Sequence, residues 1–227
     1  MGSKSAVRER NLALLRSKGF MVADSLPTVL WEEPAILRPV EEISGRVTAL
    51  GALFMWVATP EEAIPFAAII GLATGSGLED HLTVKESAIL TLPRTGAMEQ
   101  HVDTIGWRLE NMWSLAWVLG FEPPPALEGQ MEQKIILALL FGFLGLPKRS
   151  AADIANRCVL RSTDVVYGMA DLFYCAHNAV RSAQFGSKTV PAGFDPFADG
   201  GGIHERRHGL WWVLSPGVEW DDTDLST

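Results

Sequence analysis

Residues 40–58, VEEISGRVTALGALFMWVA, decide the fold class. Ile43, Val47, Leu50, Phe54 and Val57 recur at three- and four-residue steps, which stacks them on one face of an α-helix. Thr59-Pro60-Glu61-Glu62 closes this run and opens another: threonine can cap, proline suits the first turn, and Glu62 completes a capping box. The same signals appear on either side. Thr83-Val84-Lys85-Glu86 repeats the capping box ahead of Ala88, Ile89 and Leu90, after a glycine-rich turn at 71–80. Met98 to Leu119 reads as one helix carrying Trp107, Trp113 and Trp117, with Gly120 at its end and Pro123-Pro124-Pro125 beyond.

Glu128 to Leu144 reads as a further helix, stopped by Gly145 and Pro147, and Ser150 and Ser162 cap two more, the second reaching about Gln184. Towards the N-terminus, Arg8 to Lys18 forms a helix ending at Gly19, followed by a loop with Pro27, Pro34 and Pro39. Towards the C-terminus, Phe185 to Ile203 reads as a glycine-rich loop and His204 to Leu214 as a short last helix before an acidic tail. No run alternates with period two. The expectation is an all-α chain: a single helical domain over 1–227 with about eight or nine helices and a subdomain break near 121–127.

Of 227 residues, 48% are hydrophobic and 20% charged, which excludes a disordered chain. The formal charge, 19 − 27 = −8, argues against a broad nucleic-acid surface, because phosphate binding needs clustered Lys and Arg. Two cysteines, Cys158 and Cys175, make no disulfide framework and suit a reducing cytoplasm. The most apolar run, Ile135 to Leu146, is too short for a bilayer, and Met1 to Phe20 lacks the apolar core of a signal peptide. A cytoplasmic protein without a membrane segment is expected. Along the chain the charge is uneven: residues 51–147 give 4 − 11 = −7. Glu61, Glu62, Glu79, Asp80, Glu99 and Asp103 in that span are the candidate partner-binding residues, against the plainer reading of solvated helix faces.

His204-Glu205-Arg206-Arg207-His208 matches the zinc-hydrolase pattern H-E-x-x-H, in which two histidines a helical turn apart share a metal and the glutamate polarises its water. Two arginines between the histidines oppose a cation, and the position six residues past His208 is Leu214 rather than a third histidine. No P-loop and no G-x-S-x-G elbow occurs, His177 reads as a structural helical histidine, and no catalytic residue is expected. Eight tryptophans stand out, among them Trp31 and Trp56. Trp211 and Trp212 are adjacent, so one of them is expected to be partly exposed.

Several short pieces carry a resemblance: Arg10-Asn11; Glu41-Glu42-Ile43 with Arg46; Leu82-Thr83 with Glu86; Trp107-Arg108-Leu109-Glu110; Leu115 to Gly120. Further on come Arg161-Ser162, Asp171-Leu172 with Tyr174 and His177, Glu205-Arg206-Arg207-His208 with Leu210 and Trp212, and Trp220-Asp221-Asp222. With these pieces in order along nearly its whole length, the chain resembles the bacterial domain-of-unknown-function family four-two-seven-two. It departs from the pattern at Cys175, where arginine is usual, and at Asn178, where tryptophan is usual.

The resemblance implies a helical cytoplasmic domain whose recurrent Glu, Arg, Trp and Asp are structural. Glu42 would pair with Arg46 one turn on, Arg108 with a distant carboxylate, and Trp220-Asp221 would clasp Arg206; Trp107, Glu110, Glu205 and Trp212 are the other structural residues of the pattern. His204 lies outside the pattern, which makes the H-E-x-x-H accidental. Proteins of this kind look like those encoded beside secreted bacterial toxins. The expected function is therefore an immunity protein, not an enzyme, that needs no cofactor and neutralises a basic toxin domain such as a nuclease through an acidic surface. The alternatives are a helical scaffold or ligand-binding protein with a pocket near Trp211 and His177, or a zinc-dependent hydrolase using His204 and His208.

Overall fold

The computed structural model describes residues 4–28 and 36–227, and among these every regular element is helical. Trp31 and Pro34 lie outside the described residues. The ten α-helices are α1 (Lys4–Ser17), α2 (Val40–Ala58), α3 (Phe66–Gly75), α4 (Val84–Thr91), α5 (Arg94–Ile105), α6 (Trp107–Val118), α7 (Gln133–Leu137), α8 (Ala151–Ala155), α9 (Thr163–Gln184) and α10 (Ala198–Val213). A 3-10 turn (Leu78–His81) precedes α4, and a π-helical turn (Ala138–Phe143) extends α7.

The chain divides into two compact units: residues 1–37, 125–130 and 161–227 form one, and residues 38–124 and 131–160 the other. In the second unit α2 is the central strut. Fourteen of its nineteen residues are buried, because α3, α5, α6 and α8 all pack on it. A helix covered on nearly every side has to be apolar nearly all round, as this one is. Gly51 admits a close approach: a Cβ there would sit 2.4 Å from Leu146 and 3.2 Å from Met112. In the first unit α9 is flanked by α1 and α10, and its one-sided apolar pattern buries Val166, Ala170, Phe173 and Val180.

The helix expected to open at Thr59-Pro60-Glu61-Glu62 does not start there: Thr59 is the C-cap of α2, Glu61 and Glu62 lie in a turn, and α3 begins only at Phe66. Two further expected helices are rearranged. The Met98–Leu119 run is broken at Gly106, because its two halves, α5 and α6, each pack on α2 and glycine is a poor helix former. The Glu128–Leu144 run begins only at Gln133: Glu128 pairs with Lys18 at 3.0 Å, and the Met131 N–H donates to Glu110, so the preceding residues are engaged elsewhere. The last helix, conversely, starts six residues early and runs through Gly200-Gly201-Gly202. Packing explains it. A Cβ at Gly200 would lie 2.5 Å from Val180 of α9, and one at Gly202 would lie 3.3 Å from the Arg206 guanidinium.

The unit built on α2 carries 9 − 13 = −4 and the other 10 − 14 = −4, because Arg38, Arg46, Lys148, Arg149 and Arg157 fold together with the acidic middle stretch. No helix among the described residues is long and apolar enough to cross a membrane.

Candidate functional site

Helix α5 presents an apolar pair and a carboxylate pair on its outer surface. Its inner side is anchored by buried Ala97 and Ile105, while Met98 and Val102, one turn apart, remain 46% and 47% exposed. Glu99 and Asp103 stand beside them at the same four-residue spacing, both exposed. An apolar pair flanked by a carboxylate pair is thus displayed on a rigid helix. Its start is fixed by Arg94, which donates to the carbonyls of Met55, Thr59 and Ile64 and pairs with Glu61 at 2.7 Å. Glu61, one of the candidate docking residues, is therefore already matched by a cation. Glu62 is exposed in the same turn, and Glu79 and Asp80 are exposed in the 3-10 turn.

The expected structural residues of the same unit form a buried ionic lock, with different partners from those expected. Arg46 grips Glu86 with two bonds of 2.6 and 3.0 Å and also donates to the His81 carbonyl. Glu42 takes Arg38 instead, at 2.8 Å. The Glu42–Arg46 pair is thus replaced, because α4 brings a fully buried carboxylate to Arg46. Arg108 is the third member, with its Nη2 3.4 Å from Glu86. Glu86 also completes the capping box with Thr83. Burial pushes its pKa upward, but the charge and hydrogen bonds of Arg46, then Arg108 and the Thr83 N–H, outweigh this and hold it below the ordinary 4.5. Beside the lock, His81 packs against Gly45, and Trp107 stands half-buried at the start of α6.

In the other unit the H-E-x-x-H histidines go to separate partners. His204 Nδ1 lies 3.3 Å from His177 Nε2, whereas His208 Nε2 donates to the Trp220 carbonyl at 3.0 Å and its ring stacks on Trp220. Among the described residues no three His, Cys, Asp or Glu side chains converge on a metal position, and His177 with His204 supplies only two nitrogens where catalytic zinc takes three protein ligands. Arg207 Nη1 lies 2.6 Å from His177 Nδ1. Guanidinium can only donate, so His177 is neutral, with its proton on Nε2 directed to His204. Burial, then the charge of Arg207, then His204, lowers the His177 pKa to about 3, a value unsuited to a general base near neutrality.

Arg207 also donates to the carbonyls of Leu225 and Ser226, and its guanidinium stacks over Trp211 at 4.5 Å and Tyr174 at 5.0 Å. This cation lies between Trp211 and His177, the two residues named for a ligand pocket. Arg206, expected to be clasped by Trp220-Asp221, instead donates to the carbonyls of Ala126 and Gly129, both at 2.6 Å, and Asp221 is exposed. Trp211 and Trp212 are both buried, against the expectation for one of them. Trp211 packs on Tyr174 of α9, and Trp212 on Trp220 of the C-terminal tail, so opposite flanks of α10 are covered. Glu205 is half-buried beside His204, whose pKa it raises against a larger lowering by burial.

Sequence reasoning missed Arg8. Its 2.7 Å pair with buried Asp171, which also accepts from Asn11, ties α1 to α9. The Arg10-Asn11 and Asp171 pieces were legible, but only packing joins residues 163 positions apart. At the two positions of departure, Cys175 is buried beside Asp171 with its thiol pushed up to about 12 chiefly by burial, and Asn178 accepts the Ala23 N–H.

No curated protein and no solved structure matches the chain. A family model described as "Domain of unknown function (DUF4272)" matches residues 7–223, nearly the whole length, and the chain belongs to that family.

Proposed function

We propose that the protein is an immunity protein that binds and neutralises a secreted bacterial toxin, and that the outer face of α5 is its docking surface. The carrying observation is the exposed Met98/Val102 pair bordered by Glu99 and Asp103. Single exposed apolar residues need no explanation, but an apolar pair one turn apart with carboxylates at its edge suits the buried centre and polar rim of a protein interface. Two carboxylates on a rigid helix complement a basic target, such as the phosphate-binding cleft of a nuclease. Three buried ionisable groups hold the fold: Glu86 is taken by Arg46, His177 by Arg207, and Asp171 by Arg8 and Asn11. The toxin assignment itself rests on the likeness to proteins encoded beside secreted toxins.

The test is co-expression with the neighbouring toxin gene. The native chain is expected to restore growth and to bind the toxin one-to-one, with affinity falling as salt rises. The variant E99K/D103K, altered only at exposed positions, should fold normally and lose both. Failure of the native chain to rescue growth, or full rescue by E99K/D103K, would overturn the proposal.

A further inference from the structure

Arg207 is 1% exposed, and its partners set it apart from three other buried arginines of the chain. Arg8 pairs with Asp171 at 2.7 Å, Arg38 with Glu42 at 2.8 Å and Arg46 with Glu86 at 2.6 Å. Among the described residues no carboxylate forms an ion pair with Arg207. Its hydrogen-bond partners are all neutral: His177 Nδ1 and the carbonyls of Leu225 and Ser226, at 2.6, 2.8 and 2.9 Å. Its Nε is buried and bonds to nothing. A buried cation without a paired counter-charge is costly, and a charged acceptor in place of a carbonyl would bind it more strongly.

The segment that supplies those carbonyls is held by little else. Within residues 221–227, the hydrogen bonds to the helices are both donated by Arg207. The others are local: Asp222 and Thr223 reach back to Glu219 and Trp220, and the Asp224 carboxylate accepts the Ser226 N–H at 2.8 Å. Asp224, Ser226 and Thr227 are exposed, and Leu225 is half-buried. The guanidinium, by contrast, is fixed by two helices. It stacks over Trp211 of α10 at 4.5 Å and Tyr174 of α9 at 5.0 Å, and His177 of α9 takes Nη1. A rigid fork thus holds a loosely attached stretch of main chain.

We propose that the Arg207 fork is a binding site for the C-terminus of a partner polypeptide, and that residues 224–226 occupy it intramolecularly until such a chain displaces them. The present occupant indicates the class. The fork takes the main-chain oxygens of two consecutive residues, Leu225 and Ser226. A chain that ends at the second of these positions offers a carboxylate there instead of an amide carbonyl. It makes the same two bonds and adds the missing negative charge. A small free anion matches the charge but not the neighbouring main-chain oxygen. This site is independent of the α5 docking face and of the toxin reading.

The probe is the peptide Thr-Asp-Leu-Ser with a free α-carboxylate, which matches residues 223–226, titrated calorimetrically into the full chain. Asp224→Ala removes the acceptor of the Ser226 N–H and loosens the tethered segment. This variant should bind one peptide with a Kd below about 1 mM, and the native chain at least about tenfold more weakly, because its own segment competes. The amidated peptide keeps the oxygen but not the charge and should bind Asp224→Ala at least about tenfold more weakly than the free acid. Arg207→Lys keeps the cation but not the fork and should lose binding. Absence of free-acid binding to Asp224→Ala up to about 1 mM, equal affinity of acid and amide, or sodium acetate binding as tightly as the peptide overturns the proposal. These arms need only Asp224→Ala, altered at an exposed position, and hold whether or not Arg207→Lys folds.

Discussion

Changing Glu86 to glutamine removes one charge from the centre of the α2 unit and little else. The amide keeps the side chain's shape and one acceptor oxygen, but its NH2 group now faces the Arg46 guanidinium, which can only donate. Arg46, 2% exposed, is left without its buried counter-charge, and Arg108 loses its partner at 3.4 Å. Removing one member of a buried pair typically costs about 3–5 kcal/mol; the retained acceptor places this case near 3 kcal/mol. For a domain of this size that lowers Tm by at least about 6 °C. The effect must also depend on pH. A carboxylate whose folded pKa lies below the ordinary 4.5 contributes its full stability above that value, and loses it as pH falls through the folded pKa. The gap between native and E86Q proteins, measured by urea unfolding followed by tryptophan fluorescence, should be full at pH 7 and close progressively below about pH 4.5. Replacing both partners with apolar residues, R46M/E86L, should recover part of the loss. A gap under about 1 kcal/mol at pH 7, or one that does not change on acidification, refutes the lock as described.

Gly45→Ala drives a Cβ into the His81 ring, 2.2 Å from Nε2, and should cost about 1–3 kcal/mol in urea unfolding; adding His81→Ala should restore stability, since alanine is then the better helix residue. Arg207→Met removes the hydrogen bonds to Leu225 and Ser226 and should expose the tail to carboxypeptidase, with a stability loss of about 1–3 kcal/mol. Burial is the larger cause of the low His177 pKa, but Arg207 adds to it, so the same variant should raise the pH at which His177 titrates, read by NMR. Cys175, fully buried with a thiol pushed up to about 12, should react with a thiol reagent at pH 8 only at the rate of global or local unfolding.

Helix α2, from Val40 to Ala58, and the Thr83–Glu86 and Ser150 starts were legible because their signals act within one or two turns of chain. The candidate site was partly legible in the same way. Glu99 and Asp103 were named for their charge, yet nothing along the chain marked Met98 and Val102 as their exposed companions, since helical periodicity alone does not say which face a neighbour covers. Glu61 has the same residue type as Glu99 but is matched by Arg94, 33 positions away.

The sequence by itself determined that this chain is helical, where α2, α4, α8 and α9 begin, and that its charge is acidic overall, because caps, periodicity and composition are local or additive properties. Only the tertiary structure decided that Arg46 takes Glu86 rather than Glu42, that both Trp211 and Trp212 are buried, and that three consecutive glycines belong inside α10. It also divided the −8 equally between two units. The physical reason is common to all four. Each depends on a group brought within a few ångströms by packing, and the energy of desolvating a charge or covering a ring is set by that neighbour rather than by the residue's own place in the chain.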